Sequence, residues 1–191
     1  MNDKSSHDSE ARLIQAALAG DTQAFGDLVT KYQDRLFNSL IHVLGNEYDA
    51  QDITQDAFIQ AFRRLDSFRG QSAFYTWLFR IARNLAISRL RGRKQTSSLH
   101  AADGSMREIE GHDDKPEQSL ESAESVAQLQ QALAKLPEDQ RIILVLREFD
   151  GLEYETIAEV LEIPVGTVRS RLHRARGQLK GELIALGMTT K

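Results

Sequence analysis

The chain has 191 residues, of which 41% are hydrophobic and 27% are charged, and its formal net charge is −4. This length allows one ordinary domain or two small ones. The absence of cysteine excludes a disulfide framework, a cysteine-ligated zinc site and a thiol nucleophile. Residues 1–10 are polar and no apolar run approaches the ~20 residues that span a bilayer. We therefore expect a soluble, intracellular protein that is not inserted in a membrane.

Helical periodicity dominates the sequence and strand signals are almost absent, which predicts an all-α fold. The first half is expected to contain four helices and one loop. The predicted helices span residues 9–19, 22–44, 49–65 and 73–90, and the predicted loop spans residues 66–72.

From about Arg91 the helical pattern collapses into a stretch rich in Gly, Ser and acidic residues, which is typical of a flexible acidic linker. Helical pattern resumes near Val126. We predict two small helical domains, residues 1–94 and 126–191, joined by a flexible acidic linker at 95–125.

The small net charge conceals blocks of opposite sign. Residues 63–94 carry nine basic side chains and one acid, Asp66, and residues 165–180 carry five basic side chains and no acid. Clustered Arg and Lys side chains are typical of proteins that bind polyanions, whatever the total charge. The alternative is a pair of solvated helix faces.

A short helix, a tight break and an amphipathic helix are predicted at residues 154–161, 162–164 and from Val165 onward. Four apolar residues of the last helix share one narrow stripe: Val168, Leu172, Ala175 and Leu179. Polar and basic residues point away from this stripe or flank it: Arg169, Ser170, His173 and Arg174 outward, Arg171 and Arg176 on the flanks. This order predicts a helix-turn-helix whose second helix enters the DNA major groove. An ordinary helical hairpin with solvated arginines is the alternative.

Aromatic residues are unusually dense in the basic segment 63–94: Phe68, Phe74, Tyr75, Trp77 and Phe79. Such a mixture suits single-stranded nucleic acid, because bases stack on rings while cations follow the backbone. Core positions are nevertheless favoured for Phe74, Trp77 and Phe79. Phe68 and Tyr75 are expected to be exposed, in or beside the loop.

The helix predicted at 49–65 has an apolar stripe of Ile53, Ala57, Phe58, Ala61 and Leu65. Its opposite face carries Asp52, Gln55, Asp56 and a solvent-facing Ile59. An apolar anchor framed by charges is typical of a small protein–protein contact, although a single exposed Ile can also be without function. Because an acidic face does not favour DNA, we expect a basic protein partner there.

These motifs resemble the extracytoplasmic-function sigma factors, the smallest members of the bacterial sigma-70 family, and within them the sigma-E-like group. Residues 49–84, DAQDITQDAFIQAFRRLDSFRGQSAFYTWLFRIARN, resemble conserved region 2. Residues 136–176, LPEDQRIILVLREFDGLEYETIAEVLEIPVGTVRSRLHRAR, resemble region 4. With the helix at 22–44, the resemblance covers most of the chain outside the first 20 residues and the linker.

The resemblance implies a non-enzymatic factor that binds core RNA polymerase and directs it to promoter DNA. It implies polymerase contacts, to the clamp helices of the largest subunit, at Asp49, Asp52, Gln55, Asp56 and Ile59, and a further contact to the polymerase flap. It implies that the loop from Phe68 to Ser72 captures one extruded base, and that the minus-ten element is melted and read by Phe68, Arg69, Gly70, Gln71, Ser72, Tyr75, Arg80, Arg83 and Asn84. It implies that the minus-thirty-five element is read by Thr167, Arg169, Ser170, Arg171, His173, Arg174 and Arg176.

The resemblance further implies an anti-sigma factor as partner, a role in stress response, and a location in the bacterial cytoplasm, where the anti-sigma factor can hold the protein at the inner membrane. We expect no cofactor, metal ion or small-molecule substrate, since the five histidines are scattered. Two positions depart from the pattern of many relatives: Ser88 replaces an acid and His173 replaces an aromatic residue. The second departure leaves the exact minus-thirty-five preference open.

Three other classes of protein stay open at this point. A DNA-binding regulator of another class, such as a response-regulator-type output domain, would explain residues 136–180 but not residues 49–94. A helical adaptor that binds only protein would leave both basic segments without a role. An enzyme is least favoured, because the sequence has no phosphate-binding glycine loop, metal-ligand cluster or nucleophile constellation.

Overall fold

The computed structural model describes the backbone of residues 3–99 and 118–188 and the side chains of residues 9–91 and 124–188. This part of the chain contains eight α-helices, one short 3-10 helix and no strand, which confirms the all-α fold. The α-helices are α1 (Asp3–Leu18), α2 (Thr22–Leu44), α3 (Glu47–Arg63), α4 (Phe74–Leu99), α5 (Gln118–Ala134), α6 (Glu138–Glu148), α7 (Tyr154–Leu161) and α8 (Val165–Ala185).

The ends of α2 follow from local capping and match the prediction. Asp21 accepts hydrogen bonds from the backbone N–H groups of Gln23 and Ala24 at 2.9 and 3.3 Å, which satisfies two donors of the first turn. Gly45 ends the helix in the left-handed conformation, φ +66°, and its N–H donates to the Ile41 carbonyl at 2.8 Å.

Helix α3 begins and ends two residues earlier than predicted. Its first turn is capped by Asn46, whose side chain accepts a hydrogen bond from the Asp49 N–H at 2.9 Å. At the other end a 3-10 helix, Leu65–Ser67, follows and turns the chain into the loop before α4. The predicted apolar stripe is confirmed, since each of its members is buried: Ile53, Ala57, Phe58, Ala61 and Leu65.

Two helices extend into the predicted linker. Helix α4 continues to Leu99, and α5 begins at Gln118 rather than near Val126, so the two ends of the segment 95–125 are helical and not irregular. Residues 95–99 contain Gln and Leu, and residues 118–125 contain Gln, Leu, Glu and Ala, which favour helix in spite of the neighbouring Ser residues. The rest of the predicted linker, residues 100–117, lies outside the described residues.

Helices α6, α7 and α8 have the predicted order. Pro137 precedes α6, Glu162 and Ile163 form the break, and Pro164 precedes α8. Glu162 adopts the left-handed conformation, φ 55°, where a glycine is usual. The turn therefore holds a non-glycine residue in a conformation that costs free energy.

The helices pack as an N-terminal group, α1–α4, and a C-terminal group, α5–α8, whose buried apolar residues form one continuous cluster. In the N-terminal group α2 packs against α1 and α3, and α3 against α4. The groups meet where α2 contacts α5 and α6 and where α4 contacts α7. No helix within the described residues is both long and apolar enough to cross a membrane.

Candidate nucleic-acid interface

Helix α8 is held by its apolar stripe against the rest of the C-terminal group. Val168, Leu172 and Ala175 are buried and Leu179 is partly buried against the core, as the helical spacing predicts. Because α7, the break at Glu162 and α8 have helix-turn-helix order, this stripe fixes which side of α8 faces away from the protein. The ordinary-hairpin alternative shares this packing and differs only in what the outer face binds.

The outer face of α8 is exposed and polar. Arg169, Ser170, His173 and Arg174 are all exposed, as predicted. Neither Arg169 nor Arg174 has a hydrogen bond or ion pair with any residue whose side chain is described. Their guanidinium groups are therefore available for a ligand.

The flanking cations of α8 form ion pairs with acidic residues of the same protein. Arg171 lies 3.2 Å from Asp139, and Arg176 donates two hydrogen bonds to one oxygen of Glu148, at 2.9 and 2.6 Å. Thr167, half-buried near the start of the helix, accepts a hydrogen bond on its carbonyl from the Ser170 hydroxyl. Asp139 and Glu148 orient Arg171 and Arg176 and offset part of their charge. The outer pair, Arg169 and Arg174, has no such acidic partner among the described side chains.

The loop before α4 presents exposed and polar groups. Arg69, Gly70 and Gln71 are exposed, and Gly70 takes the left-handed conformation, φ +68°, that reverses the chain. Phe68 is predicted to be exposed, but it is half-buried in the structure. Its ring contacts Phe74 and Trp77 with centroid distances of 5.8 and 5.3 Å. The loop is therefore packed, through Phe68, against the aromatic rings of Phe74 and Trp77. Ser72 is half-buried beside it.

Tyr75 is buried and not exposed, so this prediction was wrong. Its side chain is 3% exposed, and its hydroxyl donates to Asp150 Oδ1 at 2.8 Å. The same oxygen accepts from Ser39 Oγ at 2.9 Å and from Arg35 Nε at 3.3 Å. Burial and the Asp150 charge raise the pKa of Tyr75 well above its ordinary value, so the phenol stays protonated and donates.

The position of Asp150 explains the burial of Tyr75. Asp150 follows α6 in the C-terminal group and reaches the N-terminal group with a carboxylate that is 2% exposed. Arg35 secures it further: the guanidinium donates to the Asp150 carbonyl at 2.8 Å and lies 3.9 Å from the centre of the Tyr75 ring. A residue predicted to face DNA is thus enclosed by a contact between the two groups.

Three other candidate minus-ten residues lie along α4. Arg80 is half-buried and donates from Nε, at 3.1 Å, and from a terminal nitrogen to the carbonyl of Glu159 on α7. Arg83 is half-buried, and its Nε has no hydrogen-bond partner among the described side chains. Asn84 is exposed. Phe74 and Phe79 are core residues as predicted, and Trp77 is half-buried.

The acidic face of α3 is present as predicted. Asp52, Gln55 and Asp56 are exposed and Ile59 is 41% exposed. Asp49 lies at the inner edge of this face, where Arg89 of α4 donates to it at 3.0 Å and to Asp52 at 2.6 Å. The face is therefore attached to α4 by one arginine that serves two carboxylates.

Sequence reasoning missed an apolar groove next to this face. A groove of about 1050 Å³ runs between α2 and α3, and its lining includes Phe25, Phe37, Phe58, Ile59 and Phe62. Phe62 is 48% exposed and its ring contacts Phe25 at a centroid distance of 5.0 Å. Helical spacing carries the signal for this groove, because Phe62 falls three residues after Ile59 and therefore lies beside it on α3.

The structure describes two of the five histidine side chains, His42 on α2 and His173 on α8. Among the residues with described side chains, no group of three or more His, Asp and Glu residues could hold a metal ion. His42 lies between the two helical groups, where its ring stacks on Phe149 at 4.0 Å and its Nδ1 lies 2.8 Å from Gln130 Nε2. Its role is structural.

Comparison with known proteins identifies the same family in both helical groups of the chain. Residues 28–96 match the family described as Sigma-70 region 2, and residues 127–179 match the family described as Sigma-70, region 4. The chain is 42% identical over 179 residues to the RNA polymerase sigma-H factor of Pseudomonas aeruginosa, which covers 88% of this chain and 91% of that protein. It is 44% identical over 174 residues to the ECF RNA polymerase sigma-E factor of Escherichia coli K12, and the match covers 86% of this chain and 88% of that protein.

A solved structure of similar fold shows the same agreement. The sigma factor RpoE in complex with the anti-sigma factor NepR from Bartonella quintana matches with a TM-score of 0.69 at 26% identity, over 83% of this chain and 96% of that chain. A response-regulator-type protein would share only the helix-turn-helix, whereas these matches include the N-terminal group as well. The chain therefore belongs to the extracytoplasmic-function group of the sigma-70 family and is a factor of promoter-specific transcription initiation.

Proposed function

We propose that this sigma factor binds core RNA polymerase through the acidic face of α3, reads the minus-thirty-five element with α8, and melts and reads the minus-ten element with the loop 68–72 and α4. The observation that carries the proposal is the outer face of α8. Arg169 and Arg174 project from a helix whose opposite stripe is buried, and neither has a partner among the described side chains.

The α8 face suits sequence reading in duplex DNA. A guanidinium can donate two hydrogen bonds to guanine in the major groove, and Ser and His can reach neighbouring base edges. Arg171, Arg176 and Thr167 flank this face, where contacts to phosphates position a protein on the duplex. His173 gives the face a polar ring where many relatives have an aromatic residue, so we expect its upstream preference to differ from theirs.

The loop and α4 suit a single strand. Arg69 and Gln71 are exposed beside the half-buried ring of Phe68, and this combination of cation, polar group and aromatic ring accommodates an extruded base and its phosphate. Arg83 and Asn84 continue the surface along α4. Tyr75 and Arg80 can join it only when the C-terminal group moves away, because both now donate hydrogen bonds to that group.

The α3 face suits a basic protein surface. Three exposed polar or acidic side chains surround Ile59, and Asp49 lies at the edge. An apolar side chain that becomes buried when the partner binds provides affinity, and the charged side chains around it orient the partner. We assign this face to the clamp helices of the largest polymerase subunit, and a contact with the polymerase flap to the C-terminal group.

We infer that an anti-sigma factor regulates this chain in the bacterial cytoplasm and can hold it at the inner membrane. The support is the Bartonella quintana sigma factor, which was solved with the anti-sigma factor NepR and matches 83% of this chain. We also infer that the chain supplies no catalytic group, cofactor or small-molecule site, and that polymerisation belongs to the polymerase.

Run-off transcription tests the proposal. Core RNA polymerase with the full chain should initiate on a subset of promoters from a genomic library, and core polymerase alone should not. A DNA-binding regulator that is not a sigma factor would give no core-dependent initiation.

A charge reversal tests the polymerase-binding face. Asp52→Arg combined with Asp56→Arg should abolish co-purification with core polymerase while the helical circular dichroism stays unchanged. Asp27→Arg combined with Glu155→Arg, which reverses two exposed acids on α2 and α7, changes the net charge by the same amount and should retain binding. Retained binding in the double variant would contradict the assignment of this face.

A further inference from the structure

Helix α1 lies outside both matched family regions, which cover residues 28–96 and 127–179. Its inner face is nevertheless built into the protein, because Glu10, Ile14 and Ala17, at helical spacing, are all buried. A glutamate that is only 8% exposed is unusual and requires hydrogen-bond partners.

Glu10 has such partners from two other elements. Its Oε2 accepts hydrogen bonds from Lys31 Nζ at 2.6 Å and from the hydroxyl of Tyr32, both on α2. The backbone N–H of Phe74, the first residue of α4, also stabilises the carboxylate. Burial alone would raise the pKa of Glu10, but these hydrogen bonds and the Lys31 charge lower the pKa below its ordinary value, so the carboxylate is charged. Glu10 thereby connects α1, α2 and the end of the loop.

A cavity of about 440 Å³ lies beside this carboxylate. One wall is the loop and the start of α4, residues 68–74, and the other wall is α1, which contributes Glu10, Ile14, Gln15 and Leu18. Leu18 is 41% exposed although it is apolar. The volume lies within the roughly 300–1,000 Å³ of small-ligand pockets, which is enough for one nucleobase.

We propose that α1 forms the second wall of the pocket that receives the extruded minus-ten base, and that Glu10 is the positioning residue that holds the loop in its receiving shape. This inference rests on the proposed function and adds the N-terminal helix to it. The ligand is one base of the non-template strand, extruded from the stack.

The lining suits a base. Phe68 offers an aromatic ring and Leu18 an apolar surface for the faces of the base, while Gln15 and Gln71 can each both donate to and accept from its edge. Arg69 is exposed at the same loop, where the phosphate of the extruded nucleotide would emerge. Glu10 itself is occupied by Lys31, Tyr32 and Phe74, which is why we assign it a positioning role rather than a contact with the base.

The test uses open complexes of the reconstituted holoenzyme on a promoter selected from the library. Their lifetimes are measured with a competitor, on intact DNA and on DNA with one abasic site at each minus-ten position of the non-template strand. In the wild type, one position should shorten the lifetime about tenfold or more when its base is missing, since stacking on an aromatic ring is lost there. In Glu10→Ala that penalty should fall to about threefold or less, because the loop no longer holds the base.

Controls separate positioning from general stability. Ile53→Val destabilises the core of α3 away from the cavity and should retain the full penalty. If Glu10→Ala fails to assemble with polymerase, Leu18→Ala, at an exposed position of the same wall, should lower the penalty instead. An undiminished penalty in the assembling variant, or a wild type with no sensitive position, would overturn the inference. Absence of any core-dependent open complex in the wild type would instead overturn the proposed function.

Discussion

The two basic surfaces of this sigma factor are built differently. The face of α8 depends only on its own group of helices: the stripe Val168, Leu172 and Ala175 packs against the C-terminal group, and Arg169 and Arg174 have no partner among the described side chains. The surface of α4 depends on the other half of the chain, because Tyr75 and Arg80 donate hydrogen bonds to Asp150 and Glu159. We propose that the α8 face meets DNA without a change in packing, whereas the α4 surface becomes complete only when the two helical groups part.

Removal of the buried Asp150 carboxylate, which joins the two helical groups, should have the largest effect on this contact. Asp150→Ala removes the carboxylate that accepts from the Tyr75 hydroxyl, one of the two acceptors of the Ser39 hydroxyl, and the ion pair with Arg35, so the free energy of unfolding should fall by about 3 kcal/mol. Urea unfolding followed by the fluorescence of Trp77, the single tryptophan, measures the change.

Two variants sharpen that measurement. Asp150→Asn keeps one acceptor oxygen and supplies a donor at the side where Oδ2 has no partner among the described side chains, so it should lose less stability. Glu155→Ala removes an exposed acid of α7 and should change little. If Asp150→Ala were as stable as Glu155→Ala, the contact would not hold the two groups together.

Substitution of the exposed cations of α8 should weaken DNA binding and leave the stability of the fold unchanged. Arg169→Ala or Arg174→Ala should weaken upstream promoter binding by the holoenzyme by about 1–3 kcal/mol each, the value of a bidentate contact with a base. Binding to promoter DNA, measured at fixed salt concentration, tests this. Lys180→Ala removes an exposed cation further along the same helix and is the matched control. Equal losses in all three variants would indicate a general charge effect without base reading.

The contact between the groups should weaken in mild acid. Burial lowers the pKa of His42, although the Asp150 charge acts in the opposite direction. Protons therefore bind the unfolded chain first, and stability should decline as the pH falls below the ordinary His pKa of about 6.5, with no effect above it. His42→Phe keeps a ring against Phe149 and should reduce the pH dependence of the unfolding midpoint between pH 7 and pH 5. An unchanged dependence would exclude His42 as its source.

The smallest expected effect concerns the turn that positions α8. Glu162→Gly relieves the left-handed conformation at φ 55° and should stabilise the protein by up to about 1 kcal/mol. Glu159→Gly places glycine at an exposed position in the interior of α7 and should destabilise the protein by about 1 kcal/mol. Thermal unfolding compares the two, and destabilisation by both variants would show that Glu162 has contacts that outweigh its strain.

The sequence predicted the α8 surface well because helical spacing alone determines it. The buried stripe, the outward side chains and the break before Pro164 all follow from residues within one or two turns of each other. Helix α2 was predicted to the residue for a similar reason, since Asp21 and Gly45 act locally.

What the sequence did not reveal depends on distant partners. Tyr75 is buried by Asp150, 75 residues later, and no local pattern marks that pair. Glu10 lay in a segment that looks polar, and its burial depends on Lys31 and Tyr32, about one helix further along the chain. The division of the chain at 94 and 126, and the roles of the individual contact residues, stay predictions.

The most direct measurement is a map of base preference at both promoter elements. Transcripts initiated by core polymerase with the wild type, Arg174→Ala or Gln71→Ala are sequenced from a library randomised at the minus-thirty-five and minus-ten positions. We predict that Arg174→Ala flattens the preference only at the upstream element and that Gln71→Ala flattens it only at the minus-ten element. If each variant flattened both elements, or neither did, two separate reading surfaces in this chain would be contradicted.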